Sequence, residues 1–196
     1  MKPIKKAVAI LNRAFRYLLH LCFGFDKWHL STLYERKYAR DIIRHLNARP
    51  RTERNEVIEI GCGLGDIVRN LNYAHRTGCD MDRNALKAAR FLSRITFRNN
   101  IDFEWFEFPE SSLNGKADGI IMVNWIHHIP PPVLKAKIED YFLHHLLPGG
   151  EIIIDTVQHK EYKFNHDIGY LTKDCPATVS RVGDYERQRT IWSVKK

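Results

Sequence analysis

The stretch from Glu56 to Asp82 sets the tightest limit on what this chain can fold into. Val57, Ile58 and Ile60 make a short β-branched run of the kind buried in parallel sheets. Gly61, Gly63 and Gly65 follow at once, Ile67, Val68 and Leu71 recur at helical spacing, and the stretch closes on Gly78-Cys79-Asp80-Met81-Asp82. Strand, glycine turn and helix form the first half of a nucleotide-binding βαβ unit. The glycines let the backbone turn sharply and approach a ligand with no Cβ in the way.

Two residues narrow the choice of ligand. A dinucleotide fingerprint requires G-x-G-x-x-G. Here the third glycine comes one residue early, and Asp66 sets a carboxylate where a pyrophosphate needs backbone amides. Glu59 is a charged residue near the end of an apolar strand, just ahead of Gly61, where a carboxylate can meet a cationic ligand.

The rest of the chain alternates strands and helices. An amphipathic basic helix is predicted over 2–23, with Ile4, Val8, Leu11, Phe15, Leu18 and Cys22 as its apolar stripe and Lys5, Lys6, Asn12, Arg13, Arg16 and His20 on the remainder. A second helix is expected over about 33–47, capped by Ser31 or Thr32. Further strands are expected over 73–80, 101–108, 117–124 and 151–155, and helices from Asp82 or Asn84 and over about 133–147. One short helix is expected around Asp167 to Leu171, and residues 177–182 and 189–194 alternate as a hairpin does. At 196 residues the chain suits one well-buried domain.

The spacing Glu59-x-Gly61-x-Gly63-x-Gly65 resembles motif I of the class I S-adenosylmethionine-dependent methyltransferases, and three further segments resemble that family in the same order. Gly78-Cys79-Asp80 falls where the family carries an acidic residue at its second strand's end. Asp118 through Asn124-Trp125-Ile126-His127-His128-Ile129-Pro130 is similar to its fourth strand and following loop. Leu146-Leu147-Pro148-Gly149-Gly150 is similar to the turn before its fifth.

The resemblance implies an α/β fold: a seven-stranded, mostly parallel Rossmann-like methyltransferase sheet with a C-terminal antiparallel hairpin and an N-terminal helical extension. Residues 1–50 would form the helical cap and 51–196 the catalytic domain. S-adenosylmethionine is the implied cofactor. Glu59, Gly61, Gly63 and Gly65 would surround its methionine part, Asp80 would hold the ribose, and Met81 would lie against the adenine. Glu107 is the candidate for the adenine amino group, and Asn124 and Trp125 would line the pocket where the methyl group faces the acceptor. His127 and His128 are the candidate catalytic bases, and Trp28, His29, Tyr34 and Tyr38 the candidate acceptor contacts. No metal is implied.

Nothing in the sequence names the acceptor. The N-P-P-Y type motif of base-nitrogen methylation is missing, since Asn124 is followed by Trp125-Ile126-His127. That favours a small-molecule or glycan-precursor acceptor, O- or N-methylated, over RNA or protein; a cofactor-binding partner protein without turnover is the reading from another class. The four scattered cysteines show no C-x-x-C pair and read as reduced thiols of a cytoplasmic protein. The net charge of +8 points to an anionic partner or to a solvated surface. No run of some 18 apolar residues suggests a membrane span. Residues 1–25 have a basic start and an apolar middle, as a leader peptide does, but Asn12, Arg13, Arg16 and His20 interrupt that middle. The N-terminal helix therefore either packs on the domain or lies on the anionic inner face of a membrane.

Overall fold

The computed structural model describes residues 3–196, with side chains from Ile10 onward. Lys2 and the side chains of Ile4, Lys5, Lys6 and Val8, which belong to the expected N-terminal helix, lie outside the described residues. Seven strands form one sheet in the order β3-β2-β1-β4-β5-β7-β6. They are β1 (Glu56–Ile60), β2 (His75–Asp80), β3 (Ile101–Trp105), β4 (Ala117–Met122), β5 (Leu146–Thr156), β6 (Thr178–Tyr185) and β7 (Arg189–Lys195). The first five run parallel, β7 inserts antiparallel beside β5, and β6 pairs antiparallel with β7 at the edge. This is the mixed sheet that the sequence predicts.

The alternation of each central strand divides its apolar residues between two faces. Ile58, Ile60, Ile120, Met122, Ile152 and Ile154 face α4 (Pro131–Asp140), which contributes Leu134 and Ile138. Val57, Ile121 and Ile153 face α2 (Lys37–Asn47), which contributes Ala39, Ile42 and Leu46. Both faces of the central strands are therefore covered, as parallel strands require.

On the β3 side, α3 (Arg83–Ile95) packs Leu86 and Ala89 onto Phe103, Cys62 and Val68. Asp82 caps α3, its side chain accepting from the backbone N–H groups of Asn84 and Ala85. The N-terminal helix α1 (Pro3–Phe23) lies on α3 through Leu19, joined by Phe25 and Leu64.

Three local expectations change. The helix expected after the glycine turn is a single 3-10 turn, Val68–Asn70. The Val68 N–H is taken by the Glu59 carboxylate at 2.8 Å, and Leu71 is already extended so that the chain can reach β2. The second helix begins at Lys37, because Glu35 folds back on Thr32, accepting from its backbone N–H at 2.6 Å and its hydroxyl at 3.1 Å. Most telling, the described part of the predicted apolar stripe of α1 does not face the domain. Leu11, Phe15, Leu18 and Cys22 are exposed, and Arg16 and Leu19 are the buried residues.

Candidate functional site

The parallel strands end together at the carboxyl edge of the sheet, where β1 and β4 diverge to β2 and β5 on opposite sides. Such a switch point opens a crevice. Here it is a cavity of about 570 Å³ walled by the glycine turn, the ends of β2 and β4, and the segment after α1.

The glycine turn demands its glycines. Gly61, Gly63 and Gly65 have φ of +75°, +54° and +71°, the left-handed region that side chains with a Cβ rarely adopt. A Cβ at Gly61 would sit 2.2 Å from the Trp125 ring, one at Gly63 2.5 Å from the His29 ring, and one at Gly65 2.8 Å from Phe103. Trp125 is held there by its indole N–H, which donates to the Ile60 carbonyl at 2.6 Å. The turn is tied back to β2 as well. Gly61 and Cys62 both donate to the Cys79 carbonyl, and Gly63 donates to Asp80 Oδ2 at 2.7 Å. Asp80 Oδ1 accepts the Asp82 N–H at 2.9 Å, so the carboxylate is oriented at the cavity wall with lone pairs left for a ligand.

Two buried carboxylates beside the turn behave oppositely. Burial pushes the Glu59 carboxyl up to about 8, although the Val68 N–H and the Arg36 charge pull against it. It is a carboxyl short of cations. Burial would also raise Asp66, but Arg36 and Arg16 outweigh it and hold its pKa below the ordinary value. Arg16 reaches Asp66 Oδ1 at 2.6 Å, Arg69 the same oxygen at 3.1 Å, and Arg36 bonds Oδ2. Arg16 and Arg36 also line the cavity.

The far wall is organised by Asp155 at the end of β5, fully buried. Its Oδ1 accepts the Asn124 N–H at 2.9 Å, and its Oδ2 pairs with His127 Nε2 at 3.1 Å and with Arg189. Burial alone would raise Asp155; the His127 hydrogen bond and the Arg189 charge bring it below the usual carboxylate range. Arg189 also donates to the Tyr162 hydroxyl at 3.1 Å, and the Tyr162 ring packs on His127.

Most of the residues singled out from sequence converge on this cavity. Glu59, Gly61, Gly63, Asp80, Met81, Asn124, Trp125, His128, Trp28, His29 and Tyr38 all line it. Gly65 stands one position behind, packed on Phe103. His127 is wholly buried against Asp155, behind the wall that His128 lines. Glu107 is exposed, and the wall at that level is made by Phe106 and Phe108. Tyr34 is exposed outside the cavity wall. Arg16, Arg36, Asp155 and Tyr162 escaped the sequence reading. Asp155 alone carried a usable signal, a charge ending an apolar strand as Glu59 does.

The cradle suits S-adenosylmethionine. The turn admits no Cβ, Asp80 offers a carboxylate for ribose hydroxyls, and Glu59 is a buried carboxyl that a cation would satisfy.

Comparison with known proteins agrees with this geometry. The model of a methyltransferase domain family matches residues 32–189. Among solved structures, magnesium protoporphyrin IX methyltransferase from Synechocystis PCC 6803 with bound S-adenosylmethionine is similar over 98% of this chain and 96% of its own, at 15% identity and a TM-score of 0.70. N-methyltransferase NodS from Bradyrhizobium japonicum WM9 is similar over 83% of this chain and 96% of its own, at 15% identity and a TM-score of 0.66. A possible exported protein from Bordetella parapertussis shares 14% identity at a TM-score of 0.65 over 81% of this chain, which spans 65% of that longer one. A search of curated proteins found no match. At these identities the structures speak for the fold, and the domain match speaks for the family. The chain belongs to the class I S-adenosylmethionine-dependent methyltransferases.

Proposed function

We propose that this protein transfers a methyl group from S-adenosylmethionine to an oxygen or nitrogen of a small-molecule or glycan-precursor acceptor. The observation that carries the reading is the single cavity shared by two kinds of wall. The glycine turn, Asp80 and Met81 make the cofactor half, and Trp28, His29, Tyr38, His128 and Tyr162 make a polar-aromatic half suited to an acceptor. A cavity of about 570 Å³ is in the range of small-molecule sites and admits only a small acceptor or the end group of a larger one.

When bound, the cofactor supplies a methyl carbon already activated by its sulfonium. The chain then has to position, dehydrate and deprotonate. Asp80 would accept from the ribose, and Glu59 with the glycine backbone would hold the cationic amino-acid end. Arg16 and Arg36 stand where the ligand's carboxylate would meet positive charge. Positioning and desolvation supply much of the acceleration of an in-line displacement. For a hydroxyl acceptor, His128 is the cavity-wall imidazole next to the end of β4 that would take the proton. Tyr162, held by Arg189, orients the acceptor. His127 acts through Asp155, holding Asn124 and Arg189 in place. Of residues 1–50, α1 and the Trp28 segment would cap this site at its mouth, while α2 covers a face of the sheet.

The test is a screen of acceptors with methyl-labelled cofactor, scored by transfer of label. Binding of the cofactor with no transfer to any hydroxyl or amine acceptor would favour a non-catalytic partner protein. Transfer only to RNA or protein would move the acceptor class.

A further inference from the structure

The outer face of α1 plays no part in the cofactor pocket, and its composition is unlike the rest of the surface. The domain-facing residues are Asn12, Arg16, Leu19, His20 and Phe23, at helical spacing. Between them, on the opposite arc, Leu11, Leu18 and Leu21 are 69%, 58% and 62% exposed, with Ile10, Phe15 and Tyr17 beside them. Apolar side chains thus cover more than a third of the turn, uninterrupted, on a helix already anchored by its other side. Soluble domains rarely leave a contiguous apolar patch without a partner.

The charge says which partner. In sequence, helix α1 carries Lys5, Lys6 and Arg13 and no acidic residue, while its Arg16 is turned inward and paired with Asp66. Helix α3, in contact with it through Phe23 and Phe91, carries Arg83, Lys87, Arg90 and Arg94 and no acidic residue. The whole chain has 31 Lys and Arg against 23 Asp and Glu, and leaving out the inward-turned Arg16 these two helices still supply seven cations against that excess of eight. Positive charge and exposed apolar surface are therefore concentrated on one pair of adjacent helices. A polyanion such as nucleic acid would match the charge but leave the leucines in water. A second copy would match the leucines but set like charge against like.

We propose that the outer face of α1, flanked by α3, docks on an anionic phospholipid bilayer, with α1 lying in the plane of the headgroups and its leucine face turned into them. Trp28, 79% exposed, follows just beyond the end of α1 and lines the cavity, so docking brings the cavity mouth near the lipid surface. The proposal does not depend on the identity of the methyl acceptor.

The experiment is co-sedimentation of the full chain with vesicles of phosphatidylcholine alone and of equal parts phosphatidylcholine and phosphatidylglycerol. The expected result is binding to the anionic vesicles only, weakened but not abolished at about 0.5 M salt, where charges are screened and the apolar contact persists. Leu11→Glu/Leu18→Glu should lose binding while its melting temperature and cofactor affinity stay those of the parent. Lys87→Ala/Arg94→Ala, on exposed α3 positions, should weaken partitioning roughly fivefold per residue. Failure of the parent protein to sediment with anionic vesicles at low salt overturns the proposal, as does undiminished binding by both double variants. A dimer that dissociates in Leu11→Glu/Leu18→Glu, without vesicle binding, would assign the face to a second copy and overturn it too.

Discussion

Arg16 of the N-terminal helix donates to Asp66 of the glycine turn at 2.6 Å, across 50 residues of sequence, and both side chains are buried. The same guanidinium donates to the carbonyls of His29 at 3.1 Å and Ser31 at 2.6 Å. One side chain thus ties α1, the Trp28 segment and the turn together.

Arg16→Ala should therefore act on both stability and cofactor binding. Asp66 keeps Arg36 and Arg69, so the loss is smaller than for a lone buried pair, about 1–3 kcal/mol. We expect a melting temperature several degrees lower and weaker cofactor binding, measured by thermal denaturation and calorimetry. An unchanged melting temperature would mean that α1 is not held through this contact.

Glu59 predicts a pH dependence. Its folded pKa of about 8 lies above that of an unfolded glutamate, so the cofactor-free protein loses stability as pH rises from about 4.3 to about 8. A bound cation lowers that pKa, so cofactor binding should release a proton and tighten as pH rises toward 8. Glu59→Gln should flatten both curves and raise the melting temperature of the cofactor-free protein at pH above about 8. Parallel melting curves for the two proteins between acid and alkaline pH would contradict this.

The glycine turn and Asp80 should respond differently. Asp80→Ala removes the proposed ribose acceptor and should weaken cofactor binding by about 1–3 kcal/mol, with some loss of stability because the Gly63 and Asp82 N–H groups lose their partner. Gly63→Ala meets the His29 ring at 2.5 Å with φ at +54°, so it should lower stability as well as binding. Titration calorimetry beside a melt separates the two. Wild-type affinity in Asp80→Ala would remove the ribose role.

The two ends of the acceptor half can be told apart by kinetics. If His128 takes a proton, His128→Ala should lower kcat by about 10²–10⁴-fold for a hydroxyl acceptor and abolish the acid limb of the rate profile. If the Tyr162 hydroxyl orients the acceptor, Tyr162→Phe should raise KM with a smaller change in kcat. A His128→Ala enzyme with parental kcat would leave methyl transfer to positioning alone.

The fold and the glycine-turn side of the cavity were legible because their determinants are local. Parallel strands buried on both faces leave unbroken apolar runs, and a turn that excludes Cβ leaves glycines at fixed spacing. Glu59 and Asp80 are named by their places at strand ends next to that turn. The sequence by itself thus determined the sheet, its terminal hairpin and the class of ligand. Contacts between distant segments were not legible. Nothing near Arg16 announces Asp66, and nothing near Tyr162 announces Arg189 and the Asp155 that holds it. The 3.6-residue period shows that α1 is two-faced, but not which face meets the domain. There the tertiary structure turned the arginine inward, to the buried Asp66 and two backbone carbonyls, and left the leucines outside. Hydrophobicity ranks side chains by their cost in water, whereas burial was decided by which partner stood opposite: a buried carboxylate can hold an arginine that no local pattern would place inside.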